Sequence, residues 1–133
     1  MVSILAYEDT TLRANTWLVQ QEAGSLAISG WLETELGAAL SRKIRTGRLD
    51  ANERDSALHR FNNDMLPGLA MLDISRKHFR LAVEITRRQD LGVRSGDALH
   101  LAVAATNRLT LVTFDKLLAA GATALGYAVE LIA

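Results

Sequence analysis

Apolar and polar positions along this chain follow two alternating periods. Leu26-Ala27-Ile28 is a short continuous apolar run, as expected of a strand buried on both faces. After Ser29, the apolar residues Leu32, Leu36, Leu40 and Ile44 recur every four positions, which predicts an amphipathic helix. Ser29 is placed to cap that helix and Gly47 to close it in the left-handed conformation. Asp50 and Glu53 form a capping-box pattern ahead of a second helix with an inner face of Ala57, Leu58, Phe61 and Met65, broken by Pro67-Gly68. The rhythm then repeats. Leu69 to Leu72 reads as a strand, and Ser75 caps a helix carrying Phe79, Ala82, Val83 and Ile85. Ser95 opens a helix running from Gly96 to about Asn107, apolar on most sides and therefore expected to be buried. Leu109 to Thr113 is a strand, a short helix starts near Lys116, and Tyr127 to Leu131 is a last strand. Upstream, residues 10–23 read as a helix that ends at Gly24.

Strands separated by helices of this length make βαβ units, so the pattern predicts an α/β fold with a central parallel sheet and helices on both faces. There are no repeats, low-complexity tracts or linkers, and one domain over residues 1–133 is expected.

Composition narrows the possibilities. A chain of 133 residues that is 49% hydrophobic and 23% charged suits a single soluble globular core. No apolar run approaches the roughly 18 residues of a membrane helix, and the first residues lack the basic flank of a signal peptide. A soluble, cytoplasmic protein is expected. The absence of Cys removes disulfides, thiolate metal sites and thiol nucleophiles. Fifteen basic residues balance fifteen acidic ones, so no global field draws phosphates. The local basic run Arg42, Lys43, Arg45 and Arg48 fits a solvated helix end meeting its dipole as readily as an RNA contact.

Open α/β sheets bind ligands beyond the carboxyl ends of their strands, and three acids fall there: Glu35, Asp97 and Asp115. Each has a structural alternative. Asp97 suits the positive end of a helix dipole, Asp115 a helix cap, and Glu35 a solvated helix face, with Glu33 competing for any role. Together they repel one another unless a cation is present. Hard divalent cations take oxygen ligands, and Mg²⁺ is typically held by a few carboxylates with water and phosphate. With three His and no Cys, zinc is poorly supported. His100, three positions beyond Asp97 among Ala and Leu, reads more readily as a packed core residue than as a substrate contact.

Three segments resemble those of PIN domains of the VapC toxin kind. Ser95-Gly96-Asp97-Ala98-Leu99-His100-Leu101-Ala102 is similar to their "GDALHLA" segment, and Leu111-Val112-Thr113-Phe114-Asp115 to their "LvTxD" strand end. Ile28-Ser29, with Glu35 six residues after the serine, is similar to their second acidic motif. The resemblance covers nearly the whole chain. It implies a PIN-like three-layer α/β/α fold and a metal-dependent endoribonuclease, in which four acids hold one or two Mg²⁺ or Mn²⁺ ions. Glu35, Asp97 and Asp115 match three of those four positions, and Thr113 matches a hydroxyl that orients water or phosphate. It further implies a toxin acting on RNA, a small antitoxin protein as partner, and a homodimer.

One departure stands out. The family opens with a strand ending in Asp, then two helices. Taking Met1 to Tyr7 as the first helix and Glu8 to Gln21 as the second puts that Asp just before Met1, so the first strand and the fourth acid are expected to be missing. An upstream extension would then be needed for folding and activity. The other frame takes Ile4 to Tyr7 as the first strand and Asp9-Thr10-Thr11 as its motif, which leaves one helix too few. The competing function, in a different class, is a non-catalytic PIN-like module that binds antitoxin or RNA without cutting. A phosphate-binding domain of P-loop or dinucleotide type is disfavoured because no Gly-rich loop follows a strand.

Overall fold

The computed structural model describes residues 3–5, 20–22 and 24–132. Five parallel strands, β1 (Ser3–Leu5), β2 (Leu26–Ser29), β3 (Ala70–Leu72), β4 (Thr110–Thr113) and β5 (Val129–Leu131), form one sheet in the order β3-β2-β1-β4-β5. Five α-helices connect the strands among the described residues: α1 (Gly30–Arg45), α2 (Ala51–Arg60), α3 (Arg76–Arg87), α4 (Ser95–Thr106) and α5 (Lys116–Ala124).

The centre of the sheet corrects the sequence-based frame. β1 pairs with β2 through Ser3 and Leu26, and with β4 through Ser3 and Thr110, so the chain's own residues 3–5 fill the slot expected to be empty. The first-helix assignment for Met1 to Tyr7 falls with it. The physical reason lies in the flanking strands. Without β1, the facing edges of β2 and β4 would bury unpaired N–H and C=O groups. A short apolar segment that supplies those partners outweighs a count of helices. The helix expected over residues 10–23 lies mostly outside the described residues, as do Glu8 and Asp9.

Register and pleat divide the core. Leu111 pairs laterally with Val129, so these two positions share one face. Leu111 packs there with Ala82 and Ile85 of α3, Leu101 and Ala104 of α4, and Leu118 and Ala122 of α5. Ile28 points the other way, into a second cluster with Leu32 of α1 and Phe61. Every residue from Ala98 to Ala104 is buried, which is why α4 shows no polar stripe.

Helix boundaries follow the capping chemistry with small shifts. Asp50 and Glu53 make the reciprocal capping box, with Glu53 N–H donating to Asp50 Oδ1 at 2.7 Å and Asp50 N–H to Glu53 Oε1 at 3.1 Å. Gly47 takes φ +74° just past α1. Ser29 occupies the N-cap of α1, but its hydroxyl bonds nothing there, and Arg94 rather than Ser95 is the N-cap of α4. After α2 the chain passes through one π turn (Phe61–Met65) and a 3₁₀ turn (Leu66–Gly68) containing Pro67. Among the described residues, no helix is long and apolar enough to cross a membrane.

Candidate active site at the carboxyl edge of the sheet

α1 leaves the carboxyl end of β2, α5 leaves that of β4, and α4 begins at the same edge because it runs back to feed β4. Glu35, Asp97 and Asp115 are thereby delivered to one side of the sheet by three separate elements.

Helical phase puts Glu35 and Glu33 on different sides of α1. Leu32 and Leu36 share the stripe that packs on Ile28 and Phe61. Trp31 and Glu35 form the neighbouring stripe, which faces α4. Glu33, two residues or about 200° from Glu35, is exposed and borders a separate open groove with Trp31, Met71 and Phe79. Glu35 is half-buried, and the Nε2–H of His100, itself fully buried on α4, donates to Glu35 Oε1.

Gly96 lies directly under that contact. A Cβ at this position would lie 3.0 Å from Trp31 Nε1 and 3.2 Å from Glu35 Oε2, so any larger residue would crowd these two side chains of α1 against the first turn of α4.

Asp97 sits in that first turn. Burial holds its carboxyl above the ordinary carboxylate range, and the negative charges of Asp115 and Glu35 push the same way, against His100 and Arg94. The charges of Asp115 and Glu35 thus reach Asp97 from two other elements at the same sheet edge. Asp115 is also a cap: its Oδ1 accepts from Leu117 N–H at 2.8 Å and Leu118 N–H at 3.2 Å. Thr113 is buried, and its Oγ1 accepts from Asp115 N–H at 3.0 Å, which fixes the turn from β4 into α5. As they stand, no three acidic or histidine side chains among the described residues are close enough together to hold a metal ion.

The family profile of the PIN domain matches residues 1–123. The chain belongs to the PIN-domain family. Solved structures agree on the fold. FitAcB from Neisseria gonorrhoeae is 17% identical, with 97% of this chain and 96% of that chain covered and a TM-score of 0.73. PAE2754 from Pyrobaculum aerophilum is 26% identical over 90% of this chain and 86% of that one, with a TM-score of 0.66. VapBC2 from Rickettsia felis, solved bound to a DNA fragment from its promoter, is 20% identical over 98% of both chains, with a TM-score of 0.63. No curated protein sequence matches the chain significantly.

Within this PIN fold the donor set suits a hard divalent cation. The groups are all carboxylates, and an Asp97 carboxyl raised by burial and by two like charges is the kind of group a cation relieves. Sequence reasoning missed Trp31 and Gly96 as shapers of the site and read His100 as a core residue ahead of a substrate contact. The signals were present in the four-residue step from Trp31 to Glu35 and the three-residue step from Asp97 to His100, but only the packing of α1 on α4 joins them. Arg42, Lys43 and Arg45 occupy the last turn of α1. Arg45 lies ten residues beyond Glu35, about 15 Å along the axis, where a cation meets the negative end of the dipole.

Proposed function

We propose that this PIN domain is the toxin of a toxin–antitoxin pair and cuts RNA phosphodiester bonds with the help of Mg²⁺ or Mn²⁺. The carrying observation is that Asp97, on the first turn of α4, feels both Asp115 and Glu35, which arrive from two other elements at the same sheet edge. Similarity to VapBC and FitAcB structures supports the toxin setting and a small antitoxin protein as partner.

In this proposal Glu35, Asp97 and Asp115 hold the cation. When bound, it would lower the pKa of a water and stabilise charge developing on the phosphate. Asp115 is oriented by the N–H groups at the start of α5, which leaves its second oxygen for the ligand role. Thr113 acts by fixing the backbone of Asp115. The fourth family acid is assigned to Asp9, four residues after β1; its position lies outside the described residues. RNA is the substrate, and a homodimer, a single domain over 1–133 and a cytoplasmic setting complete the expectation.

The test is cleavage of a cellular RNA pool with Mg²⁺ or Mn²⁺. Glu35→Gln and Asp97→Asn should each lose more than the roughly 10–100-fold typical of second-shell changes at metal sites, while Glu33→Gln, on the exposed side of α1, stays at the wild-type rate. Asp9→Asn should fall with the first pair. Full activity in any of the three acid variants removes that residue from the site.

A second reading is a non-catalytic module that binds antitoxin or RNA. The observation favouring it is that the three described acids are not already gathered into a cation site. Antitoxin binding by a wild-type protein that cuts no RNA with either metal would decide for it.

A further inference from the structure

Two observations on α4 concern the same side chain of α1. His100 is fully buried, and its Nε2 meets Glu35 Oε1 across 65 residues of chain. The Oε2 of the same carboxylate lies over the first turn of α4, 3.2 Å from where a Cβ on Gly96 would stand. Glu35 is thus laid along α4, with one oxygen held by His100 and the other directed to the turn that carries Asp97.

The other ring nitrogen of His100, Nδ1, is buried and has no hydrogen-bond partner among the described residues. A carboxylate only accepts, so Nε2 carries the proton. Among the described residues this is the one side-chain hydrogen bond of His100, which lies between Leu99 and Leu101 on the buried stretch of α4. A histidine kept solely for packing has no use for it, since a leucine fills similar space without desolvating two nitrogens.

We propose that His100 is the positioning residue for Glu35: by donating through Nε2 to Oε1 it locks the carboxylate so that Oε2 faces the cation site beside Asp97. The inference rests on the reading of Glu35 as a cation ligand. Without the donor, Glu35 keeps its place on α1 but gains rotamers that turn Oε2 away. Outer-shell partners that orient metal-ligating groups typically change metal affinity by about 10–100-fold when removed.

The experiment is Mn²⁺ binding to the full chain by isothermal titration calorimetry, with folding followed by circular dichroism. The variants are His100→Ala, His100→Leu, His100→Gln and Glu35→Gln. The amide nitrogen of glutamine reaches the place of Nε2, so His100→Gln should bind Mn²⁺ within a few-fold of wild type. His100→Leu, which fills the space without a donor, should bind about tenfold or more weakly, as should His100→Ala. If His100→Ala does not fold, the Gln and Leu pair carries the comparison. Equal affinity for His100→Leu and wild type, with Glu35→Gln weakened, overturns the positioning role while leaving Glu35 a ligand. Unchanged affinity in Glu35→Gln overturns the ligand reading and the positioning role with it. Equal weakening in the Gln and Leu variants assigns the effect to packing and likewise overturns the proposal.

Discussion

Asp115 holds two positions at once, and they separate under three substitutions. Its Oδ1 accepts from the first-turn N–H groups of Leu117 and Leu118 at 2.8 and 3.2 Å. Leu117 is 50% exposed, so water can take over its N–H, whereas Leu118 is 2% exposed and its N–H has little access to replacement. Loss of a side-chain N-cap costs about 0.5–2 kcal/mol, and the sheltered Leu118 amide places Asp115→Ala in the upper half of that range. For a domain of this size, that lowers the melting temperature by roughly 3–8 °C. Asp115→Ser and Asp115→Asn keep an acceptor and lose only a few tenths of a kcal/mol from the cap itself. Asn also gives up a charge–dipole attraction of about 0.3–1 kcal/mol, while relieving the repulsion Asp115 exerts on Asp97, so the two effects oppose each other. In RNA cleavage all three variants should be inactive, because none retains the carboxylate. The assay pairs thermal unfolding with Mg²⁺-dependent cleavage on the same preparations. Wild-type cleavage by Asp115→Asn would refute the ligand role, and equal melting temperatures for Asp115→Ala and Asp115→Ser would refute the cap.

Asp97 gives a pH signature. Its carboxyl is raised in the folded state, so metal-free protein loses stability as pH climbs above the unfolded carboxylate value and through the raised one. Asp97→Asn should therefore melt above wild type at neutral pH, the gap closing below pH ~4; a gap that is constant with pH would contradict this. At Gly121 a Cβ would stand 2.7 Å from Val93 Cγ2, so Gly121→Ala should destabilise by up to about 2 kcal/mol, the overpacking cost of about 1–3 kcal/mol less a helix-propensity gain of about 1 kcal/mol. Chemical denaturation measures it, and a stabilised variant would count against the packing described for α5. The homodimer expected from the family should appear by light scattering at tens of micromolar. Phe79 and Val83, 53% and 48% exposed on α3, sit among Arg80 and Glu84, a face able to pair with its own copy. Phe79→Asp should shift the protein to monomer, and a wild-type monomer would sink the expectation.

Local chemistry made much of this protein legible in its sequence. The capping box at Asp50 and Glu53, the left-handed Gly47, the four-residue apolar repeat of α1 and the all-apolar α4 are interactions between near neighbours, whose energy depends little on the rest of the chain. Asp97 and Asp115 were legible because each follows a turn whose local pattern fixes where it emerges. Tertiary structure alone decided three things. It put residues 3–5 into the centre of the sheet, because the strand edges that demand partners there come from Leu26–Ser29 and Thr110–Thr113, far away in sequence. It chose Glu35 over Glu33 as the residue facing α4, since that choice depends on which stripe of α1 meets its neighbour. And it joined Trp31, Glu35, Gly96 and His100, whose proximity follows from two helices crossing at close range and not from any spacing along one of them.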